Sequence, residues 1–257
     1  MNFTEDLTID SKLIKEIVKS YNPLDYTPQL RNLLSPLYPD ANLDNFCRLD
    51  LHKKISNLII DGYDGEQGLK YRLFEAFMGK DLVAAYEIKV KNSRVDFLTV
   101  NGHTTSYEIK SSLDNLDKLA KQSLDYLDAF EFNNILIHER HLEKCYDIIP
   151  RTFGIITADK TKYAFVRKPI FNKKTAPGTQ LSLLTKKELW KYFDRQDEVC
   201  DIMKNFSALQ INDKFKLCLK ARYRTRWEFI VEHANEIQPV DLQFFFNKNI
   251  SPSIVYG

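Results

Sequence analysis

The middle of the chain alternates between helical and strand-like patterns of hydrophobic positions. Helical spacing predicts a helix from about Glu66 to Met78, and the runs YEIKV, RVDFLTV and SYEIK after it predict three strands. A leucine stripe predicts a second helix from about Leu113 to Phe130. A strand NILIH, a short helix around Glu139 to Tyr146, and a hairpin of FGIITA and YAFVR turning at Asp159-Lys160 complete this block. The order predicts an α/β protein with a mixed sheet of about five strands.

Both ends of the chain have a helical texture. Residues 1–60 combine a helical repeat with prolines that interrupt it, and residues 171–257 return to helical patterns. We therefore predict three parts: a helical N-terminal extension (1–60), an α/β core (61–170) and a basic helical C-terminal region (171–257). The apolar tail LQFFFNKNISPSIVY is expected to dock on the core or on a protein partner, a second copy of the chain included.

Composition and charge indicate a folded protein that meets a polyanion. Hydrophobic residues make up 44% and charged residues 28% of the 257 residues, which disfavours wholesale disorder. No apolar run approaches the ~18–20 residues of a membrane span, and early acidic residues replace the apolar block of a signal peptide. We therefore expect a cytoplasmic protein with no membrane partner. The net charge of +2 hides an asymmetry: residues 1–159 carry 19 basic and 25 acidic side chains, and residues 160–257 carry 18 and 10.

A candidate site lies in the second and third predicted strands. Glu108 and Lys110 project from one face of a strand, because side chains alternate along it. Asp96 shares that face only if it lies opposite Glu108 or opposite a residue an even number of positions away, which requires a loop with an odd number of residues. We predict the loop Asn101-Gly102-His103 with Gly102 left-handed in a bulge. A two-residue turn would instead set Asp96 against Tyr107 and separate the two acids.

Two carboxylates and an ammonium group on one face suit metal-assisted chemistry. The carboxylates repel each other unless one is protonated or a cation lies between them. Oxygen ligands suit Mg²⁺ (or Mn²⁺), which retains water and binds phosphate. Such a metal lowers the pKa of its bound water, and Lys110 would orient or deprotonate that water or neutralise charge on a phosphoryl group. The simpler interpretation is a polar face of a half-exposed hairpin. Glu87 is a further nearby acid, more simply a polar strand residue.

Three segments carry a resemblance to a known superfamily: GEQGLKYRLFEAF, RVDFLTVNGHTTSYEIKSSLDNLDKLAKQSLDYLDAF and NNILIHERHLEKCYDIIPRTFGIITAD. Together they cover roughly residues 62–160 and resemble the PD-(D/E)XK nucleases, which have the restriction-endonuclease-like fold, in particular a group of small bacterial and phage proteins. The resemblance implies that Asp96, Glu108 and the backbone carbonyl of Ile109 bind the metal, and that Lys110 is the catalytic lysine. Val95 departs from the pattern, because the motif has proline there.

The same resemblance implies three supporting residues. The glutamate often found in the first helix would be Glu66, although an acid at a helix start is also favoured by the helix dipole. Some relatives carry QxxxY in the following helix, which corresponds to Gln122 and Tyr126. Their i,i+4 spacing puts both on one helix face.

The C-terminal region offers a second candidate surface, for nucleic acid. Between Lys214 and Trp227, basic residues alternate with aromatic ones, a mixture that suits phosphate contacts and base stacking. The basic residues are Lys214, Lys216, Lys220, Arg222, Arg224 and Arg226. A solvated helix face with a buried aromatic stripe explains the pattern equally well.

The combined expectation is a Mg²⁺-dependent nuclease that hydrolyses phosphodiester bonds in DNA, with RNA left open as the alternative substrate. Two alternatives come from other classes. One is a non-catalytic nucleic-acid-binding or regulatory protein on the same fold. The other is a partner-docking protein of a phage or defence system, with the apolar tail as its contact.

Overall fold

The computed structural model describes residues 11–158 and 163–257. Three helices precede the sheet region: α1 (Ser11–Ser20), α2 (Thr27–Leu34) and α3 (Arg48–Gly62). Within the sheet region lie α4 (Glu66–Phe77), α5 (Leu119–Ala129) and α6 (Leu142–Ile148). After the sheet come α7 (Pro177–Ser182), α8 (Lys186–Tyr192), α9 (Val199–Asn205), α10 (Ala208–Glu232), α11 (Leu242–Lys248) and α12 (Pro252–Tyr256).

Six strands form one mixed sheet in chain order. They are β1 (Val83–Val90), β2 (Ser93–Asn101), β3 (His103–Lys110), β4 (Phe132–Ile137), β5 (Gly154–Ala158) and β6 (Tyr163–Arg167). The pairs β3–β4 and β4–β5 are parallel, and the other three are antiparallel. The predicted α/β class is confirmed, with six strands instead of about five. The predicted turn at Asp159-Lys160 lies outside the described residues.

The first predicted helix is confirmed as α4, whereas the second begins six residues later than predicted. The stretch from Ser111 to Lys118 is irregular, because Oδ2 of Asp114 accepts hydrogen bonds from the backbone N–H and the hydroxyl of Ser111 at 2.7 and 2.5 Å. This side-chain turn competes with the helix. Leu113, assigned to the apolar stripe, is accordingly exposed.

One hydrophobic core continues across the predicted boundary near residue 170. The buried cluster runs from Leu69 on α4 to Tyr256 on α12. The long helix α10 begins at a capping box between Ser207 and Gln210 and packs on β1 and β2. Residues 171–257 therefore complete the core of the central sheet. A second, smaller cluster lies among α1, α2 and α3.

The apolar tail docks on the core of its own chain. Phe245, Phe246 and Val255 are almost completely buried in the same cluster as the sheet residues. The tail is therefore not the exposed contact that the partner-docking hypothesis, or a homodimer through the tail, would need. Among the described residues, no helix has both the length and the apolar character needed to cross a membrane.

Candidate active site

The hairpin of β2 and β3 has the register that brings the two acids together. Asn101 pairs with His103 and Phe97 pairs with Tyr107, with Gly102 between the strands at a φ of +70°. Extending this register by one position places Asp96 opposite Glu108. The predicted odd loop and the left-handed Gly102 are confirmed, but the pairing from Phe97 to Asn101 runs without the predicted bulge.

The carboxylate of Glu108 is buried and surrounded by hydrogen-bonding groups. Its side chain is 1% exposed. Its Oε1 accepts hydrogen bonds from Lys110 Nζ at 2.5 Å and from Gln122 Nε2 at 2.6 Å. The Tyr126 hydroxyl lies 2.6 Å from Oε2, and also 2.7 Å from the Arg94 carbonyl oxygen. The structure thus brings Gln122 and Tyr126, one turn apart on α5, onto the same carboxylate.

Asp96 lies beside Glu108, and the negative charge of Glu108 disfavours ionisation of Asp96. Oδ2 of Asp96 accepts a hydrogen bond of 2.6 Å from the backbone N–H of Ile109. Burial, followed by the charge of Glu108, holds the pKa of Asp96 well above its usual range. Burial also raises the pKa of Glu108, although Lys110, Tyr126 and Gln122 oppose this shift.

Lys110 carries a proton in this arrangement. Burial by itself would lower the pKa of its ammonium group, but the neighbouring carboxylates of Glu108 and Asp96 outweigh burial, and the pKa of Lys110 is raised. In the absence of a cation, Lys110 is therefore suited to neutralise negative charge or to orient a water molecule, and unsuited to accept a proton.

A second charged group borders the two acids. Lys70, one turn after Glu66 on α4, lies 3.0 Å from Glu66 Oε1 and 2.5 Å from Glu87 Oε1, and Arg94 Nε lies 2.7 Å from Glu87 Oε2. Glu87 has a φ of +57° and lies between the paired positions Tyr86–Phe97 and Ile88–Val95 of β1 and β2. The prediction that Glu66 lies at the site is supported by its position.

Sequence reasoning missed Lys70 and undervalued Glu87. In the sequence, Glu66 and Lys70 have the i,i+4 spacing of an ordinary surface pair, so nothing signals that the lysine is buried. The sequence gives no indication of the positive φ of Glu87 either, because glutamate rarely adopts this conformation.

These groups line one open cavity of about 640 Å³. Its wall contains Glu66, Glu87, Asp96, Glu108, Lys110 and Gln122. Four exposed basic residues stand at its rim: Lys89, Arg94, Lys118 and Lys121. We call them the basic rim. The cavity therefore combines a negatively charged floor with positively charged edges, which is an arrangement that suits a cation together with phosphate.

The site offers two carboxylate ligands, which suit a weakly bound Mg²⁺ but are too few to bind a metal ion tightly. Across residues 11–158 and 163–257, no group of three or more His, Cys, Asp and Glu side chains is arranged to hold a metal ion. Asp96 and Glu108 supply two carboxylates, which is the number that Mg²⁺ commonly takes from a protein while it keeps several waters. Burial raises the pKa of both acids, and the charge of Glu108 raises that of Asp96 further, so a divalent cation between them favours their ionised forms.

The basic stretch of α10 is not the continuous nucleic-acid surface that its sequence suggests. Lys214 donates a hydrogen bond of 2.7 Å to the Tyr192 carbonyl, and Lys216 lies between Asp213 and Glu131. Arg222 binds Glu188 and the Leu183 carbonyl. Lys220 is half-buried, and Arg224 and Arg226 are exposed.

The expected stacking on aromatic residues of α10 is wrong. Phe215, Tyr223 and Trp227 are buried in the core, because α10 turns this face toward the sheet. No base can reach them in this fold. The interpretation of a helix with a buried aromatic stripe is correct. Four of the six basic residues bind groups within the chain, since Arg224 also lies 4.0 Å from Glu228.

The fold and the cavity define an α/β protein with an acidic, lysine-containing site on one hairpin. The chain belongs to the family described as Bacteriophage P4 protein cII, whose sequence model matches residues 64–245, about seven tenths of its length. No curated protein sequence matches the chain. Among solved structures, a protein of unknown function from Silicibacter pomeroyi is similar at a TM-score of 0.34 and 23% identity, over 46% of this chain and 76% of that one.

Proposed function

We propose that the protein is a Mg²⁺- or Mn²⁺-dependent nuclease that hydrolyses phosphodiester bonds in DNA. The observation that carries this proposal is the convergence of Asp96, Glu108 and Lys110 on one face of the β2–β3 hairpin. The elements α4, β1–β3, α5 and β4 also form the part of the chain whose sequence resembles PD-(D/E)XK nucleases. The basic rim supports a polyanionic substrate.

In this proposal, Asp96, Glu108 and the carbonyl of Ile109 hold the cation. When bound, the cation supplies a water of lowered pKa and stabilises charge on the phosphoryl group. Gln122 and Tyr126 fix the orientation of the Glu108 carboxylate through their hydrogen bonds.

Lys110 then acts on the phosphate side of the reaction. Its ammonium group is charged and lies within hydrogen-bonding reach of Glu108. It is therefore suited to neutralise the negative charge that builds up on the phosphoryl oxygens as water attacks phosphorus and the bond to the leaving oxygen breaks.

The test is a cleavage assay on the full chain. Single-stranded, double-stranded and branched DNA, and RNA, are incubated with Mg²⁺ or Mn²⁺. The matched variants are Asp96→Ala and Lys110→Ala, with Lys144→Ala as the control, because Lys144 is exposed on α6 outside the cavity. We expect cleavage by the wild type and the control, and a loss of about 10²- to 10⁴-fold in the two site variants. Cleavage that survives in both site variants would overturn the assignment.

One observation favours a second candidate, a non-catalytic nucleic-acid-binding or regulatory protein. Both oxygens of Glu108 already have hydrogen-bonding partners within the protein, so the group is stabilised without a cation. DNA binding that is unchanged by Asp96→Ala, together with no cleavage under any metal condition, would favour this candidate.

A further inference from the structure

Two residues of the basic rim lie directly opposite each other on neighbouring strands. Lys89 of β1 pairs with Arg94 of β2, so both side chains are on the same face of the sheet, and both line the candidate active-site cavity. Like charges at directly opposite positions of an antiparallel pair repel each other and destabilise the sheet. Such a pair at the wall of an open cavity is therefore suited to bind an anion between the two cations.

Neither of these charges is fully neutralised within the described part of the chain. Lys89 is exposed and forms no ion pair with another residue of 11–158 or 163–257. The side chain of Arg94 is 66% exposed, and its Nε lies 2.7 Å from Oε2 of Glu87. Glu87 also binds Lys70 through its other oxygen, so two cations share one carboxylate. The terminal Nη atoms of Arg94 have no hydrogen bond or ion pair with a described residue, and they are available to a ligand.

Arg94 is restrained at its backbone and at its side chain. The Tyr126 hydroxyl lies 2.7 Å from the Arg94 carbonyl oxygen, and Glu87 binds the guanidinium group. Glu87 itself has a φ of +57°, a conformation that is costly for residues other than glycine and that occurs mainly at functional sites. A guanidinium group restrained before its ligand arrives loses less conformational entropy on binding.

The distance between this pair and the two acids selects the group that it binds. Arg94 and Asp96 are two residues apart on β2, so their side chains share a face and are separated by about 6.7 Å along the strand. A distance of this size separates successive phosphates along a nucleic-acid strand. An anion between Lys89 and Arg94 therefore lies one phosphate away from a phosphate bound at Asp96 and Glu108. A guanidinium group with two free Nη atoms binds phosphate through two parallel hydrogen bonds.

We propose that Lys89 and Arg94 form a subsite for the phosphate next to the one that is cleaved. The proposal rests on the nuclease function above and names its substrate class, which is a nucleic-acid strand with a charged phosphate beside the scissile bond. A small diester without a second phosphate, such as a cyclic nucleotide, leaves this subsite empty and binds weakly.

The test compares three dinucleotides that differ only in the neighbouring phosphate. TpT has the internal phosphate alone, and pTpT and TpTp add a phosphate on the 5′ or the 3′ side. Full-length protein in EDTA is titrated with each dinucleotide, and ligand-observed NMR measures Kd without a cleavage step. The variants are Lys89→Ala and Arg94→Ala. Lys118→Ala is the matched control, because it removes an exposed lysine of the same cavity that is not part of the pair.

We expect either pTpT or TpTp to bind about tenfold more tightly than TpT, and the tighter of the two gives the polarity of the bound strand. Lys89→Ala and Arg94→Ala should each reduce this preference to about twofold, and Lys118→Ala should retain it. Equal Kd values for the three dinucleotides, equal gains on both sides, or a preference that survives in either pair variant would overturn the proposal. An equal reduction in Lys118→Ala would also overturn it, because binding would then depend only on the total charge of the rim.

Urea unfolding separates a binding role of Lys89 from a structural one. Because Lys89 lies opposite a like charge, Lys89→Ala should not lower the urea midpoint of the ligand-free protein although it weakens phosphate binding. A lower midpoint that accompanies the loss of binding would assign Lys89 to the stability of the sheet and would reject the subsite.

The variant Lys110→Ala separates this proposal from the proposed function. It should lose cleavage of DNA and keep the preference for the added phosphate. The same preference in a wild type that cleaves no DNA under any metal condition would support the subsite and reject the nuclease. Cleavage by a wild type that lacks the preference would reject the subsite alone.

Discussion

The Tyr126 hydroxyl lies 2.6 Å from Oε2 of Glu108 and 2.7 Å from the carbonyl oxygen of Arg94. The hydroxyl has one proton and two acceptors within reach, so its proton is drawn fully to Glu108 only when that carboxylate is ionised. The ionisation of Glu108 therefore determines whether the Tyr126 hydroxyl on α5 donates its proton to Glu108 or to the Arg94 carbonyl of β2.

This relationship predicts the effect of Tyr126→Phe. The substitution removes a hydrogen bond that favours the charged form of Glu108, so the pKa of Glu108 rises further. We expect cleavage to fall about 10- to 100-fold, as for other residues that orient a metal ligand, and the acidic limb of the pH–rate profile to move to higher pH. A lower maximal rate with an unchanged pH dependence would contradict this role. Tyr146→Phe serves as the control, because Tyr146 is an exposed tyrosine outside the cavity.

A divalent cation is expected to stabilise the folded protein through Asp96. Burial and the charge of Glu108 raise the pKa of Asp96, so the cation-free protein loses stability as the pH rises above the ordinary range of a carboxyl group. At a hundredfold excess over Kd, Mg²⁺ or Mn²⁺ should add about 2.7 kcal/mol to the free energy of unfolding, and EDTA should remove it. Thermal denaturation measures this shift.

The shift should shrink in Asp96→Asn, which removes one of the two ligands and also mimics the protonated acid. The same substitution at Asp117, which is exposed near α5, should leave the shift unchanged. An equal metal-induced shift in both variants would place the cation elsewhere.

We predict that Lys70 stabilises the ionised carboxylates of Glu66 and Glu87 beside the candidate active site. Burial alone would lower the pKa of Lys70, but Glu66 and Glu87 outweigh it and the pKa is raised. Lys70→Met removes the ammonium group between Glu66 and Glu87 and leaves Glu87 with Arg94 alone, at a cost of about 3 kcal/mol in the free energy of unfolding. The double variant with Glu87→Gln should recover part of that loss in a urea titration. Additive effects of the two substitutions would show that the contact contributes nothing.

Asp241 is predicted to make stability depend on pH. Burial raises the pKa of Asp241 to about 7, so the folded protein retains a proton that the unfolded chain loses near pH 4. The contribution of Asp241 to the free energy of unfolding is therefore lost as the pH rises from about 4 to about 7. Asp241→Asn cannot ionise and should remove this loss, measured by urea midpoints between pH 4 and 8.

His52, which contacts the Tyr21 hydroxyl that donates to Asp241, acts in the opposite direction. Burial, with a smaller contribution from the charge of Arg48, lowers the pKa of His52 to about 4, so stability from His52 is lost as the pH falls from about 6.5 to about 4. In Asp241→Asn, stability should therefore rise between pH 4 and 6.5. Asp147→Asn, at an exposed position, should keep the wild-type profile. Identical profiles in both variants would exclude Asp241 as the source.

The C-terminal tail is predicted to be essential for stability. Phe246 is 1% exposed and packs against Tyr86 and Tyr223, with ring centroids 5.4 and 6.0 Å apart. Phe246→Ala should cost about 3–5 kcal/mol. Ile254→Ala, in the same tail but 70% exposed, should change stability by less than about 0.5 kcal/mol. A small effect at Phe246 would mean that the tail does not contribute to the core.

The hairpin was predictable from the sequence because its constraint is geometric. Alternation along the strands restricts the registers in which Asp96 and Glu108 share a face to those with an odd loop. The shortest such loop is centred on Gly102, and the structure has that register. Helical spacing likewise put Gln122 and Tyr126 on one face of α5, whereas their place at the site was implied by the resemblance.

Other features depend on tertiary contacts that local patterns do not contain. The start of α5 was misplaced because the hydrogen bonds of Asp114 to Ser111 replace the first helical turns. The burial of Lys70 depends on Gln243, which is 173 positions away. Likewise, Trp227 is buried because α10 lies against the sheet, and the alternation of basic and aromatic residues does not determine which side faces inward.

The hydrogen bond between Tyr21 and Asp241 also bears on how the protein folds during synthesis. These residues are 220 positions apart, so the buried cluster that joins α1 and α3 to the segment after α10 cannot form until almost the whole chain has left the ribosome. Contacts of such long sequence separation require closure of a very large loop and slow the late steps of folding. Tyr21 and His52 can contact each other early, but Tyr21 has no Asp241 carboxylate to donate to until the last segment has folded against the N-terminal helices.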